Sequence, residues 1–208
     1  MRFVIVGAQW GDEGKGKIVD FLANKADTII RYSGGANAGH TIVFDNKTYK
    51  LHLVPSGIVY PGKKVMLGSG MVIDPQALFE ELETLSKMDV DWKGRVFISR
   101  RAHLVLPGHK ELDKKTDSER QNPLGTTGRG IGITYSLKSS RDGIRIVDMF
   151  ENKRIQHLCE DDKKFIFTYR DKIEPMVIDL THYLMDNYND NILFEGAQGV
   201  LLDLDVGT

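Results

Sequence analysis

The chain has 208 residues, with 28 Lys and Arg against 29 Asp and Glu and a formal charge of -1. That balance argues against a general polyanion or nucleic-acid binder, and the 41% apolar and 27% charged fractions are those of an ordinary globular domain with a sizeable core. A single cysteine, Cys159, excludes an internal disulfide and, without histidines at ligand spacing, a zinc site, so a reducing cytoplasm is the expected compartment. The longest uncharged stretches contain Ser, Asn, Pro or His and fall short of the ~18 apolar residues a membrane helix needs. Asp12 and Glu13 likewise interrupt the N-terminal apolar run before it reaches the length of a signal segment.

In chain order, Phe3 to Val6 is a continuous apolar run ending at Gly7, the pattern of a central parallel strand buried on both faces. A glycine-rich turn and a helix over Lys15 to Asn24 follow, with Ile18, Val19, Phe21 and Leu22 inward, and Thr28 to Tyr32 is β-rich enough for the next strand. Thr41 to Phe44 and Thr48 to Leu53 flank the turn signal Asp45-Asn46-Lys47, which predicts a hairpin decorating the sheet and hence a mixed sheet. Asp74-Pro75 starts a helix with Leu78, Leu82 and Leu85 on one face, bracketed by strands at Val65 to Leu67 and Val96 to Ser99. His109 to Arg120 carries four basic and four acidic residues and reads as a solvated helical face without function. Ile144 to Phe150 leads into a charged helical stretch, Pro175 opens a helix carrying Met176, Val177, Leu180 and Leu184 inward, and Ile192 to Phe194 returns as a strand. The expected fold is α/β: a largely parallel, P-loop-like central sheet flanked by helices, with a small hairpin and helical insertions.

The 21 glycines cluster, and the clusters carry the chemistry. Gly11-Asp12-Glu13-Gly14-Lys15-Gly16-Lys17 fits the phosphate-loop pattern G-x-x-x-x-G-K between a predicted strand and helix, where backbone N-H groups, the helix dipole and lysine charge converge on phosphate. Ile18 stands where the usual nucleotide loop has the hydroxyl that serves Mg²⁺. Asp12 and Glu13 would repel a bare triphosphate, so at least one should face a cation or a proton to be abstracted, which makes Asp12 a candidate metal ligand or base. Ser33 to Thr41 is small-residue rich and holds His40, able to donate to an oxygen gathering charge. The other histidines, His52, His103, His109, His157 and His182, are read as ordinary surface or core residues. Gly125 to Gly132 is a second phosphate-loop-like nest with two hydroxyls and Arg129, and two anion sites imply two phosphorylated ligands. Arg141 and Arg145 follow, either of them an anion clamp or a surface charge. Glu195-Gly196-Ala197-Gln198-Gly199 puts glycines at a strand's C-terminal end, where α/β sheets bind ligands.

With Gln9 to Lys17, Gly35 to Thr41, Gly125 to Gly132 and Glu195 to Gly199 in this order, the chain resembles the adenylosuccinate synthetase family. The resemblance implies GTP- and Mg²⁺-dependent ligation of L-aspartate to IMP through a 6-phosphoryl intermediate. In that reading Asp12 removes the N1 proton of the base and contacts Mg²⁺, His40 is the general acid, and the Gly39 carbonyl is a further Mg²⁺ ligand. GTP is held by Gly11, Asp12, Glu13, Gly14, Lys15, Gly16 and Lys17 with Gly39, His40 and Thr41. IMP contacts Asp12, Glu13, Gly14 and Lys15, then Asn37, Ala38, Gly39 and His40, and further Thr127 and Gln198. Arg141 matches an arginine reaching the partner's IMP in a homodimer, with Arg145 its rival. Family members are roughly twice as long, so residues 1–208 correspond to the N-terminal portion of a single ligase domain, and the fragment alone is expected to be incomplete and less stable. A non-catalytic nucleotide-binding or dimerisation module is the alternative, against which the retention of Asp12 and His40 argues. Another phosphate-loop NTPase or amide-forming ligase is disfavoured by Ile18 and the paired acids.

Overall fold

The computed structural model describes residues 1–119, 125–203 and 206–208. Strand β1 (Arg2–Ile5) leads through the glycine-rich loop into α1 (Lys15–Ala23) and β2 (Thr28–Gly34), and β3 (His40–Phe44) turns back into β4 (Lys47–Leu51). Then come β5 (Lys64–Ile73), α2 (Pro75–Lys87), β6 (Val96–Ser99), β7 (His103–Leu104), α3 (Pro107–Ser118) and α4 (Ile131–Ser140). The last elements are α5 (Asn152–Ile155), α6 (Glu160–Ile173), β8 (Val177–Ile178), α7 (Leu180–Asp186) and β9 (Ile192–Glu195).

The main sheet runs β1-β9-β2-β5-β6-β8, with β7 also on β5, and every one of these pairings is parallel. The sheet is therefore not mixed as expected. Asp45 and Asn46 both take left-handed φ, 49° and 59°, the two-residue turn that matches strand twist, and the β3-β4 hairpin it closes forms a sheet of its own. A parallel sheet buries its central strands on both faces, and Ile29, Ile30, Val65, Met66 and Leu67 of β2 and β5 are fully buried. Asp74 Oδ1 accepts the N-H groups of Gln76 and Ala77 at 3.1 and 3.4 Å, capping α2 so that Leu78, Leu82 and Leu85 face the core.

Three other expectations are corrected. β1 is a strand but the described sheet's edge, with Val4 60% exposed, because β9 from the far end of the chain takes the place between β1 and β2. On α1, Val19 and Ala23 are buried whereas Ile18 and Phe21 are exposed, the inward face following the i, i+4 row from Lys15. Glu174–Met176 is only a 3₁₀ turn; Val177 enters β8 beside β6, and Asp179 caps the next helix instead. Arg120 lies outside the described residues.

Candidate functional site

The loop after β1, the segment after β2 and the segment after β9 meet at the C-terminal edge of neighbouring strands, the edge where open α/β sheets hold ligands. Two of these segments touch tightly. Gly11 has φ +102°, and a Cβ there would lie 2.7 Å from backbone carbon of Gln198, itself at φ 67°. Helix α1 then starts behind Gly14, its N-terminus turned to the loop.

Within the loop the paired acids take different roles. Glu13 turns its carboxylate back onto the loop: Oε1 accepts the Gln9 N-H at 2.5 Å and Oε2 pairs with Lys15 Nζ at 3.3 Å. Backbone N-H groups, its own first, hold its carboxyl at about 2 against the opposing effect of burial, with lesser help from Lys15. Lys15 is buried and also donates to the Gly11 carbonyl at 2.8 Å. Of the two acids expected to face a cation or a proton to be abstracted, Glu13 faces a cation, Lys15. Asp12 and Lys17 stay exposed.

His40, first residue of β3, packs against the loop: a Cβ on Gly16 would lie 3.6 Å from His40 Cβ. Its Nδ1 is 2.7 Å from Oε1 of Glu195, the last residue of β9, which is wholly buried. Glu195 Oε2 also accepts the Ser56 N-H at 3.1 Å, and Oε1 the Ser56 hydroxyl at 3.4 Å. The Arg31 guanidinium, buried in the same region, donates to the carbonyls of Gly35 at 3.0 Å and of His52. Burial pushes Arg31 down, and the carboxylates of Glu195 and then Glu81 oppose it. A carboxylate at Nδ1 fixes which ring nitrogen carries the proton and leaves Nε2 as the atom for chemistry. In the sequence Glu195 stands in a glycine-rich context that assigns it no role, and Arg31 carries no signal at all, because a buried charge leaves no local pattern.

The Asn37 to Gly39 segment is clamped from behind. His52, set aside as an ordinary residue, hydrogen-bonds the Ala38 carbonyl through Nδ1 at 2.9 Å. Glu81 of α2 holds its place, accepting the N-H groups of His52, Leu53 and Val54 at 3.1, 2.9 and 3.1 Å. Asn37 Oδ1 is buried without a hydrogen-bond partner, a polar atom placed at a cost that a ligand donor would relieve. Gly39 and Thr41 are exposed.

The second glycine loop differs from the expected open nest. Gly130 N-H donates to buried Asp113 of α3 at 2.9 Å and Thr126 N-H to Asp117 at 3.1 Å, so two nest donors are already held by carboxylates of the protein. Helix α3, read as a solvated face, is this loop's platform; His109 adds a bond to Thr134 at 3.0 Å. Arg129 donates to the Ala36 carbonyl and ties this loop to the Asn37 segment. Thr127 remains exposed, and Arg141 caps the end of α4 at φ 71°, also exposed. Among the described residues no group of three or more His, Cys, Asp or Glu could hold a metal, and no helix is long and apolar enough to cross a membrane. The hard oxygens of Asp12 and of the Gly39 carbonyl are the donor type that Mg²⁺ takes.

Fold and loops together define an α/β protein of parallel sheet with a phosphate-type loop after its first strand. The family model for adenylosuccinate synthetase matches residues 4–166 and 159–208, and the chain belongs to that family. It is 46% identical to the adenylosuccinate synthetase of Acaryochloris marina over 99% of this chain and 51% of that protein. It is 45% identical to that of Desulforamulus reducens, over 99% and 54%. Among solved structures, the fully ligated adenylosuccinate synthetase from Plasmodium falciparum superposes with TM-score 0.86 at 38% identity, covering 99% of this chain and 53% of that one. The chain thus spans about half the length of the curated relatives it matches.

Proposed function

We propose that this chain carries the IMP-activating part of a GTP-dependent IMP-aspartate ligase, which forms adenylosuccinate, GDP and phosphate in purine nucleotide biosynthesis. The observation that carries the reading is His40 packed on Gly16 of the phosphate loop with its Nδ1 bound by buried Glu195. Asp12, the exposed acid of the loop that Lys15 does not pair, takes the N1 proton of the hypoxanthine, which raises the electron density on O6. O6 then attacks the γ-phosphorus of GTP and GDP departs. His40 Nε2 meets the charge that develops between O6 and the γ-phosphate, oriented by Glu195 from the other side of the ring. The amine of aspartate displaces the 6-phosphoryl group as inorganic phosphate, which turns a poor leaving oxygen into a good one.

Gly11 to Lys17 with Gly39, His40 and Thr41 hold GTP, and the N-terminus of α1 supplies the positive end of its dipole. IMP lies against Asp12, Glu13, Gly14, Lys15, Asn37, Ala38, Gly39 and His40 with Thr127 and Gln198; the orphaned Asn37 Oδ1 supports this placement. The Asp12 carboxylate and Gly39 carbonyl fit Mg²⁺, which when bound neutralises phosphate charge. The protein works as a cytoplasmic homodimer, Arg141 of each subunit reaching the other's IMP; its exposure at the end of α4 is consistent with that reach.

The test is to purify the native gene product from its source cells and follow adenylosuccinate, GDP and phosphate from IMP, aspartate and Mg²⁺-GTP by chromatography. Equimolar formation of the three supports the ligase. Binding of IMP and GTP without products would instead make the chain a nucleotide-binding module.

A further inference from the structure

A cavity of about 460 Å³ opens further along the same C-terminal edge, beyond β5 at the end of β6, lined by Arg100, Arg101, His103, Lys138, Arg145 and Val147. Two strand spacings, ~10 Å, separate β6 from β2 in the sheet. Four of the six lining side chains are cations. Arg100 lies 3.6 Å from Asp179 Oδ2, whereas Arg101, Lys138 and Arg145 have no carboxylate within ion-pair distance among the described residues. Asp148, the other acid at hand, spends Oδ2 on the Arg145 backbone N-H at 2.8 Å and Oδ1 on Arg154 at 3.2 Å. Lys138 Nζ donates to the Ser69 carbonyl at 3.1 Å, a neutral partner.

His103 is 6% exposed, and its Nδ1 is sealed from water without a hydrogen-bond partner. Burial, then Lys138 and Arg145, push the imidazole down to about 4, and burial with Arg145 pushes the Lys138 ammonium down as well. Four cations crowd this cavity, and the two carboxylates nearby, Asp179 beside Arg100 and Asp148 on Arg154 and the Arg145 backbone, leave Lys138 and the Arg145 guanidinium without an ion pair among the described residues. Such an arrangement costs energy in the free chain and is relieved when an anion enters.

The geometry points to a binding site for a multiply charged phosphate oxyanion in this cavity, gripped by Arg101, Lys138 and Arg145 over the His103 ring. The volume suits a phosphate group or a short polyphosphate with its water. Arginine forks match oxyanion geometry, and each charge-assisted bond in a partly desolvated pocket outweighs a neutral one.

The experiment is a titration of the ¹⁵N-labelled native gene product with inorganic phosphate and, separately, pyrophosphate, against chloride at matched ionic strength. Saturable amide shifts at Arg101, His103, Gly143 and Arg145 are expected with the phosphates and not with chloride. The tighter of the two names the source, free phosphate or a polyphosphate tail. Arg145→Gln, an exposed position that leaves the core untouched, should weaken this binding at least tenfold, about 1.4 kcal/mol, without altering any response of the Gly11 to Lys17 amides. Arg101→Gln serves the same purpose should the first variant fold poorly. Shifts that follow ionic strength alone, a response confined to the phosphate loop, or unchanged affinity in both variants would overturn the site. So would a variant that dissociates a dimer while no phosphate response exists, since the cavity would then take a carboxylate of a second copy.

Discussion

Replacing Glu195 by Gln changes one oxygen to an NH₂ and should be among the most damaging isosteric substitutions in the chain. The carboxylate is wholly buried and meets His40 Nδ1 at 2.7 Å, Ser56 N at 3.1 Å and Ser56 Oγ at 3.4 Å. A carboxamide keeps one acceptor, so its NH₂ must oppose either the Ser56 N-H or a protonated His40 Nδ1, donor against donor. Losing one charge-assisted bond costs ~1.5–3 kcal/mol. Arg31, buried and opposed chiefly by Glu195, loses its main counter-charge as well, which brings the total to about 3 kcal/mol, at the low end for breaking a buried ionic pair. Urea unfolding at neutral pH should show a lower midpoint with an unchanged slope. Long-range ¹H-¹⁵N spectra of the imidazole, assigned by loss of the signal in His40→Asn, should show Nδ1 protonated in the parent and a mixed tautomer in Glu195→Gln. A loss below ~1 kcal/mol together with an unchanged His40 tautomer would refute the reasoning that Glu195 both anchors the site and orients its histidine.

In the native protein, Asp12→Asn and His40→Asn should each remove most turnover while far-ultraviolet circular dichroism stays unchanged, because Asp12 is exposed and an asparagine at position 40 keeps an N-H donor for Glu195; near-normal rates in either would remove the role given to it. His103, held at about 4 in the folded chain against 6.5 when free, binds its proton more readily unfolded, so stability should fall as pH drops from 6.5 and the loss should level off below 4. His103→Asn should flatten that slope in a series of urea midpoints, and a directly titrated His103 midpoint near 6.5 would contradict it. Glu13 runs in the other register: held at about 2, it stabilises the folded loop above its free value of 4.5, and that contribution is lost as pH falls from 4.5 through 2, which Glu13→Gln should abolish. Asp113→Asn removes the charged acceptor of the Gly130 N-H, and amide exchange at Gly130 and Thr134 should quicken several-fold while exchange in β5 does not.

Much of the fold can be read locally because its signals are local. Asp74-Pro75 caps and starts α2 by itself, Asp45-Asn46 chooses the hairpin turn by its tolerance of left-handed φ, and the glycine loop lies between strand and helix as its pattern requires. What resisted reading was set by distant partners. The apolar run at the start of the chain specifies a strand but not its neighbours, and β9, nearly two hundred residues later, takes the inner position and leaves β1 exposed. The same holds for Ile18 and Phe21, whose helix is real but whose buried row starts at Lys15, a residue that charge alone would have placed outside.

The candidate site shows the same division. The residues that would touch nucleotide lie in glycine-rich segments visible in the sequence, because backbone that approaches a ligand closely must be small. The residues that hold those segments in place, Glu195 on His40, Arg31 on Gly35, Glu81 behind His52 and Asp113 on Gly130, are single buried or half-buried charges in otherwise ordinary surroundings. Each sits opposite a donor or acceptor supplied by a different part of the chain, so its charge makes sense only once the chain has folded. A carboxylate that costs energy to bury is retained where several backbone or ring donors converge on it, and Glu195 and Glu81 are met in this way directly behind the segment bearing Asn37, Gly39 and His40, with Arg31 donating to the Gly35 carbonyl beside them. The cost of burial is thus spent on fixing that one segment against the phosphate loop, which is where a reaction between two phosphorylated ligands would need its atoms held most closely.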